Sequence, residues 1–293
     1  MERFSYLRAN SLPEAVSLLN EPDILSRPLA GGTDLILLSR LEHICDRIVD
    51  ISFIPEMHQI VRQGDLVSIG AGTVFSDIID SPVVQETAPL LVQACRQIGA
   101  VQIRNMGTIG GNVANAAACA DTLPALVCLD AIAKVMTPNS EFVWPVSEMV
   151  VGPNRTQIPK GGLLCSLTYR VPHSRSQSVF LKLGRRNALA ISRLTVAALG
   201  RLDEQGRVIE ARLAPGSATP HIIRFSQVES HLLGKIPDRE LCLEAGRLAV
   251  DEMAGITGLR WSSEFKEPVL QALVTRALAH VLGLEEEPVR RHA

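Results

Sequence analysis

Aromatic side chains make up only 4% of this 293-residue chain, with two Tyr, two Trp and seven Phe. That leaves little material for stacking on bases, and a formal net charge of −2 provides no electrostatic footprint for nucleic acid or an acidic membrane. The six cysteines (Cys45, Cys95, Cys119, Cys128, Cys165 and Cys242) include no C-x-x-C and no Cys/His pair at metal-ligand spacing. Reduced, buried thiols are therefore favoured over a disulfide frame or a cluster site. No apolar run approaches a membrane span, and Met1-Glu2-Arg3-Phe4-Ser5-Tyr6 has no hydrophobic leader character. These absences predict a cytoplasmic protein.

Several catalytic patterns are missing as well. Gly70-Ala71-Gly72 follows an apolar stretch, but the third glycine of a dinucleotide fingerprint falls on Phe75. A turn at a strand end is the better reading. Neither Gly31-Gly32 nor Gly110-Gly111 is followed by the lysine and hydroxyl residue of a Walker loop, which disfavours nucleotide hydrolysis. No serine nucleophile elbow occurs, and histidines such as His43, His58 and His173 have no partner at catalytic spacing.

What is present is ample core: 46% hydrophobic and 20% charged residues suit two moderate domains or one large one with an appendage. Ser11-Leu12-Pro13-Glu14 reads as a capping box opening a helix through Leu19. Strands at 28–30 and 47–51 flank a helix through about Leu41, which makes a small βαβ unit. A strand at 66–71, a long helix within 81–98, a helix at 121–129 and strands at 131–136 and 163–171 follow. Beyond Pro172 the texture changes to antiparallel strands at 179–183, 195–202 and 208–214, then helices near 226–233, 239–253 and 267–282. A domain boundary is expected near residue 175.

Two glycine doublets stand out, Ala30-Gly31-Gly32-Thr33-Asp34 and Thr108-Ile109-Gly110-Gly111-Asn112. Most such pairs are only turns, but without a Cβ the backbone N–H groups can approach a ligand, and converging N–H groups make an anion site. Two in one chain suggest one shared anion such as a pyrophosphate. A Cβ branch at Gly31 or Gly111 is then expected to block the ligand and leave the fold intact. Asp121 is a fair helix N-cap, with sugar hydroxyls as the functional alternative. Asn112 and Asn115 could close turns. Lys182-Leu183-Gly184-Arg185-Arg186 is ordinarily a solvated strand end; the alternative aims Lys182 at an electron-rich ring or an anion.

The run Gln102–Ala116 with Ala120-Asp121-Thr122 closely resembles the second FAD loop of the medium subunits of molybdenum hydroxylases, the xanthine dehydrogenase and aerobic CO dehydrogenase type. Leu29–Leu35 is similar to that family's first loop. Gly152-Pro153 and Lys182–Arg186 with Ala188-Leu189-Ala190-Ile191-Ser192 also sit where the family has them. The resemblance covers nearly the whole chain and extends more distantly to vanillyl-alcohol-oxidase-type flavoproteins.

The resemblance implies an α+β fold. Residues 1–175 would form an α/β-like FAD-binding region of two subdomains (about 1–55 and 56–175), with FAD between them. Residues 176–285 would pair a small antiparallel sheet with helices, and 286–293 would be a tail. By residue-to-residue match, Leu29, Ala30, Gly31, Gly32, Thr33, Asp34 and Leu35 would cradle one side of the FAD pyrophosphate. Thr108, Ile109, Gly110, Gly111 and Asn112 would hold the other side. Asp121 would bind ribityl or ribose hydroxyls, Ile98 would line the pocket, Lys182 would sit near the isoalloxazine, and Leu164 on the strand 163–167 would touch the flavin ring. No metal ligand or catalytic acid–base residue is implied. Some relatives carry a tyrosine over the flavin where this chain has Leu189, Ala190 and Ile191, and some carry a cysteine-bearing insert that is missing here.

The implied role is an electron relay in a heterotrimer. A molybdopterin-binding large subunit would act on substrate, a small subunit with [2Fe-2S] clusters would pass the electrons on, and NAD or another acceptor would receive them from FAD. A self-contained flavin oxidase and an assembly subunit without FAD are the alternatives.

Overall fold

Ser11 opens the first helix: its Oγ accepts from the Glu14 N–H, while the Glu14 carboxylate reaches back to the Asn10 N–H at 2.8 Å. The computed structural model describes residues 4–40, 43–186, 189–258 and 262–284. Ala188 and the tail expected at 286–293 lie outside the described residues. Strands β1 (Ser5–Arg8), β2 (Ser26–Leu29) and β3 (Arg47–Asp50), with helices α1 (Leu12–Leu19) and α2 (Leu35–Leu38), form a parallel sheet in the order β1-β3-β2. The first doublet sits at the β2-to-α2 turn of this βαβ unit. Helix α2 is shorter than the helix through Leu41 that the sequence suggests, and residue 41 lies outside the described residues. Leu37 and Leu38 are exposed, so no core face is available to extend the helix.

Strands β4 (Ile60–Gln63) and β5 (Leu66–Gly70) begin a second sheet. Helices α3 (Phe75–Asp80), α4 (Pro82–Thr87), α5 (Pro89–Arg96), α6 (Val101–Arg104), α7 (Ile109–Asn115) and α8 (Thr122–Cys128) follow. Strands β6 (Ile132–Met136) and β7 (Glu141–Pro145) form a hairpin, and after α9 (Val146–Met149) and the small pair β8 (Val150–Gly152) and β9 (Arg155–Thr156), β10 (Leu163–Arg170) enters the middle. The order is β4-β5-β10-β6-β7, antiparallel throughout.

The expected long helix within 81–98 is two helices. Pro89 lacks an N–H and pushes Ala88 out of the helical region, to φ −145° and ψ 61°. Strand β7, unread in the sequence, half-buries Phe142 and Trp144, whose rings stack 4.9 Å apart.

The third sheet joins β11 (Gln177–Gly184), β12 (Ser192–Leu202) and β13 (Val208–Gly216), antiparallel with β12 central. Both faces of β12 are covered. Ala197 and Leu199 join the main core with Phe180, while Leu194, Val196 and Ala198 pack with α10 (Ser226–Leu232), α11 (Arg239–Thr257) and α12 (Ser263–Val281). The same period-2 alternation decides where Lys182 goes. On β11, Val179, Leu181 and Leu183 face the terminal helices, so Phe180 and Lys182 face the N-terminal region. No helix among the described residues is long and apolar enough to cross a membrane.

A charged network ties the third sheet to α8. Asp130, in the left-handed region (φ +51°) just past α8, accepts hydrogen bonds from Arg224 Nη1 on both carboxylate oxygens at 2.8 Å and forms an ion pair with Arg212 at 3.0 Å. Arg224 also grips Glu229, whose carboxylate accepts from the Leu213 N–H at 2.8 Å. Arg224→Leu would leave the buried Glu229 without its cation. We expect a loss of about 2 kcal/mol, below the full cost of breaking a buried pair because Arg224 is partly exposed. A urea unfolding midpoint equal to that of the wild type would refute this.

Candidate functional site

Six consecutive backbone N–H groups, Ala30 through Leu35, donate to no protein acceptor among the described residues. They lie on a half-exposed loop that Gly32 turns with φ +68°. A concave run of free N–H groups carries partial positive charge and suits an anion.

Gly31 packs this loop onto the second one. A Cβ there would sit 1.8 Å from the Met106 carbonyl oxygen, two residues before Thr108. The close approach that Gly31 permits is therefore to the protein's own backbone, which corrects the expectation that only a ligand needs the space. The second doublet is the start of α7 itself, not a loop ahead of the helix at 121. Thr108 caps it, its Oγ1 accepting from the Gly111 N–H at 3.0 Å. The Ile109 and Gly110 N–H groups donate to Thr73 and Ala71 carbonyls at 3.0 and 2.8 Å, and the Asn112 N–H to the Thr108 carbonyl. What the second loop leaves open is the Thr108 N–H, the Asn112 amide NH2 and the exposed face of Gly111, where a Cβ would meet only Thr108 Oγ1. The Asn112 Oδ1 is occupied, accepting from Thr122 Oγ1 at 2.6 Å.

Asp121 stands at the N-cap position of α8 yet makes no capping bond. Its carboxylate instead meets Lys182 Nζ at 2.6 Å and Ser192 Oγ at 2.5 Å, and Lys182 also donates to the Gln97 carbonyl at 2.8 Å. Both charged side chains are buried, at 7% and 6% exposure. Burial holds the Asp121 carboxyl above its usual range, while Lys182 and the Ser192 hydrogen bond pull it back. Lys182 is therefore no solvated strand end. Ser192, which sequence reasoning gave no role, completes the cluster; its place in the Ala-Leu-Ala-Ile-Ser run was the only available signal.

Burial, with the Asp121 carboxylate adding to it, pushes the Cys119 thiol above its usual range. Gly31 against Met106, the Asn112–Thr122 hydrogen bond and the Asp121–Lys182 pair link the first loop, the second loop and the Lys182 cluster in one chain of contacts. Ile98 is half-buried beside Gln97, and Leu164 is buried in the core at a bulge of β10; Leu164 is not joined to the cluster by any of these bonds.

The family described as the FAD binding domain in molybdopterin dehydrogenase matches residues 2–174, and the CO dehydrogenase flavoprotein C-terminal domain matches residues 179–281. The chain belongs to this family of FAD-binding oxidoreductase subunits. It is 31% identical to the glyceraldehyde dehydrogenase medium chain of Sulfolobus acidocaldarius, across 95% of this chain and 98% of the relative. To the xanthine dehydrogenase FAD-binding subunit of Escherichia coli O157:H7 it is 29% identical, across 95% and 96%. Among solved structures, the carbon monoxide dehydrogenase of Hydrogenophaga pseudoflava superposes with a TM-score of 0.88 at 27% identity, covering 97% of this chain and 99% of that one. FAD is thus the cofactor, and the free N–H run at Ala30–Leu35 fits its anionic pyrophosphate.

Two outcomes follow for this flavoprotein. Gly31→Ala should destabilise the fold by about 2 kcal/mol through overpacking against the Met106 backbone, whereas Gly111→Ala, whose Cβ would meet only the Thr108 hydroxyl at 2.9 Å, should stay within about 1 kcal/mol of wild type. Thermal melting of the FAD-stripped proteins checks this, and equal midpoints for the two variants would be wrong for it. Lys182→Met should cost about 3 kcal/mol by leaving the Asp121 charge buried alone, and adding Asp121→Asn should recover most of the loss. A double variant no more stable than Lys182→Met would count against the pair.

Proposed function

We propose that this chain is the electron-relay subunit of a cytoplasmic, heterotrimeric molybdenum hydroxylase or dehydrogenase. It takes electrons from [2Fe-2S] clusters on a small subunit, which are fed by a molybdopterin-binding large subunit, and delivers them to an external acceptor such as NAD. What carries this reading is the free N–H run of Ala30–Leu35 lying against the chain into Thr108, beside the buried Lys182–Asp121 pair.

In this reading residues 1–175 form the FAD-binding domain, with subdomains at about 1–55 and 56–175, and 176–285 the C-terminal domain. Leu29–Leu35 hold one side of the pyrophosphate, with the N–H groups from Ala30 on as donors. The second loop, Thr108–Asn112, holds the other side through the Thr108 N–H, the Asn112 amide and the uncovered Gly111 backbone, with Ile109 and Gly110 fixing its course. Asp121, held by Ser192, presents a carboxylate to sugar hydroxyls. Ile98 and Leu164 give apolar walls, and Lys182 sets the charge beside the isoalloxazine. When bound, FAD exchanges electrons singly on one side and in pairs on the other. The chain's own task is to bind, orient and set the electrostatics, and it needs no general acid or base for that.

The chain purified alone should be yellow with a flavin spectrum and hydroxylate nothing. Co-expressed with a molybdopterin subunit and a [2Fe-2S] subunit, it should co-purify in equal proportion and complete turnover. Substrate-dependent bleaching of the isolated chain's flavin would overturn the relay in favour of a free-standing oxidase, and a folded, colourless chain would indicate an assembly subunit.

A further inference from the structure

Four alanines and one cysteine, Ala116-Ala117-Ala118-Cys119-Ala120, are all that joins α7 to Asp121. None of these side chains makes a strong hydrogen bond, so the course of the segment is set by bonds to its backbone. Its carbonyls are taken one by one. Asn154, in the turn between β8 and β9, donates its N–H to the Ala116 carbonyl at 2.8 Å, which gives the Gly152-Pro153 turn a task. The Ala120 N–H closes on the Ala117 carbonyl at 2.9 Å, and the Ser217 hydroxyl donates to the Ala118 carbonyl at 3.0 Å.

Ser217 lies just past β13, and its own carbonyl accepts from Lys266 Nζ on α12 at 2.6 Å. Gly216 seats this turn tightly on α8. A Cβ there would lie 2.2 Å from Thr195 Oγ1 and 2.5 Å from Pro124 Cγ. The hydroxyl therefore acts from a fixed base. The backbone conformations point the same way. Six non-glycine residues among the described ones hold a positive φ, and Ala116 (+47°), Asn154 (+54°) and Ser217 (+57°) are three of them. A left-handed alanine or serine is costly, and such strain persists only where the surroundings over-determine it. Three of them meeting on one short segment mark its position as constrained.

We infer that Ser217, backed by Lys266, is a positioning residue for the cofactor site. It clamps the segment 116–120 so that the Asp121 carboxylate stays with Lys182 and Ser192 and faces the cofactor's sugar hydroxyls. The inference rests on the proposed function, which gives Asp121 that ligand. It also makes the docking of α12 a condition for cofactor binding, since the clamp is anchored there.

The test measures FAD affinity by fluorescence titration of the FAD-stripped full chain. Ser217→Gly removes the hydroxyl and suits the left-handed backbone, while Ser217→Ala removes the hydroxyl and keeps the strain. Both should bind FAD about tenfold more weakly than the wild type, by the same factor although their melting temperatures differ. In the neutral Lys182→Met/Asp121→Asn background, adding Ser217→Gly should cost less than about twofold, because the clamp acts through Asp121. The midpoint potential of flavin bound to Ser217→Gly should rise, since a Lys182 less closely paired favours the electron-rich reduced ring. Wild-type affinity in Ser217→Gly overturns the inference, and so does an equally large loss in the neutral background or an unshifted potential. If Ser217→Ala does not fold, Ser217→Gly alone decides. A wild-type chain that binds no FAD counts against the proposed function instead. The clamp is then judged by thermal melting of the wild type, Ser217→Gly, the neutral pair and their combination, where additive effects overturn it.

Discussion

Burying an ammonium and a carboxylate together is tolerable only when each is bonded on every side, and that constraint organises this molecule around Lys182 and Asp121. The two come from different layers: Asp121 from the turn before α8, Lys182 from the middle of β11. Bringing them within 2.6 Å requires the third sheet to lie on the N-terminal helices in one orientation. The Gln97 carbonyl then accepts a further hydrogen bond from Lys182, and the Ser192 hydroxyl donates one to Asp121. Loss of one member strands the other in a low-dielectric interior, so the pair specifies the arrangement more than it stabilises it.

Around this pair the chain uses backbone more than side chains to handle charge. The first loop exposes N–H groups because those ahead of a helix and in its first turn have no intrahelical acceptor, and Gly31 allows that loop to rest directly on Met106. The second loop has spent most of its N–H groups on Ala71, Thr73 and its own cap, which makes it a rigid floor.

Much of this was readable from local chemistry alone. The Ser11–Glu14 cap, the βαβ unit at the first doublet, the antiparallel strands after residue 175 and the terminal helices follow from capping, periodicity and turn residues, which act over a few residues. The two doublets, Asp121 and Lys182 were also visible as candidates. Local rules failed where a proline or a tertiary contact prevailed: Pro89 split one helix, and Thr108 with the Ala71 and Thr73 carbonyls made a helix out of a Gly-Gly sequence that propensity disfavours.

The sequence by itself therefore determined most of the elements and their order, and which residues stood as candidates to meet an anion. Only the tertiary structure decided what those residues do. Asp121 reads as a cap until a lysine 61 positions away takes its carboxylate, and Gly31 reads as a ligand contact until Met106 fills the space. Ser192 has no role until β12 brings it beside α8. Each of these depends on long-range contacts, which carry no local pattern because they arise from the packing of sheets and helices that are far apart in the chain.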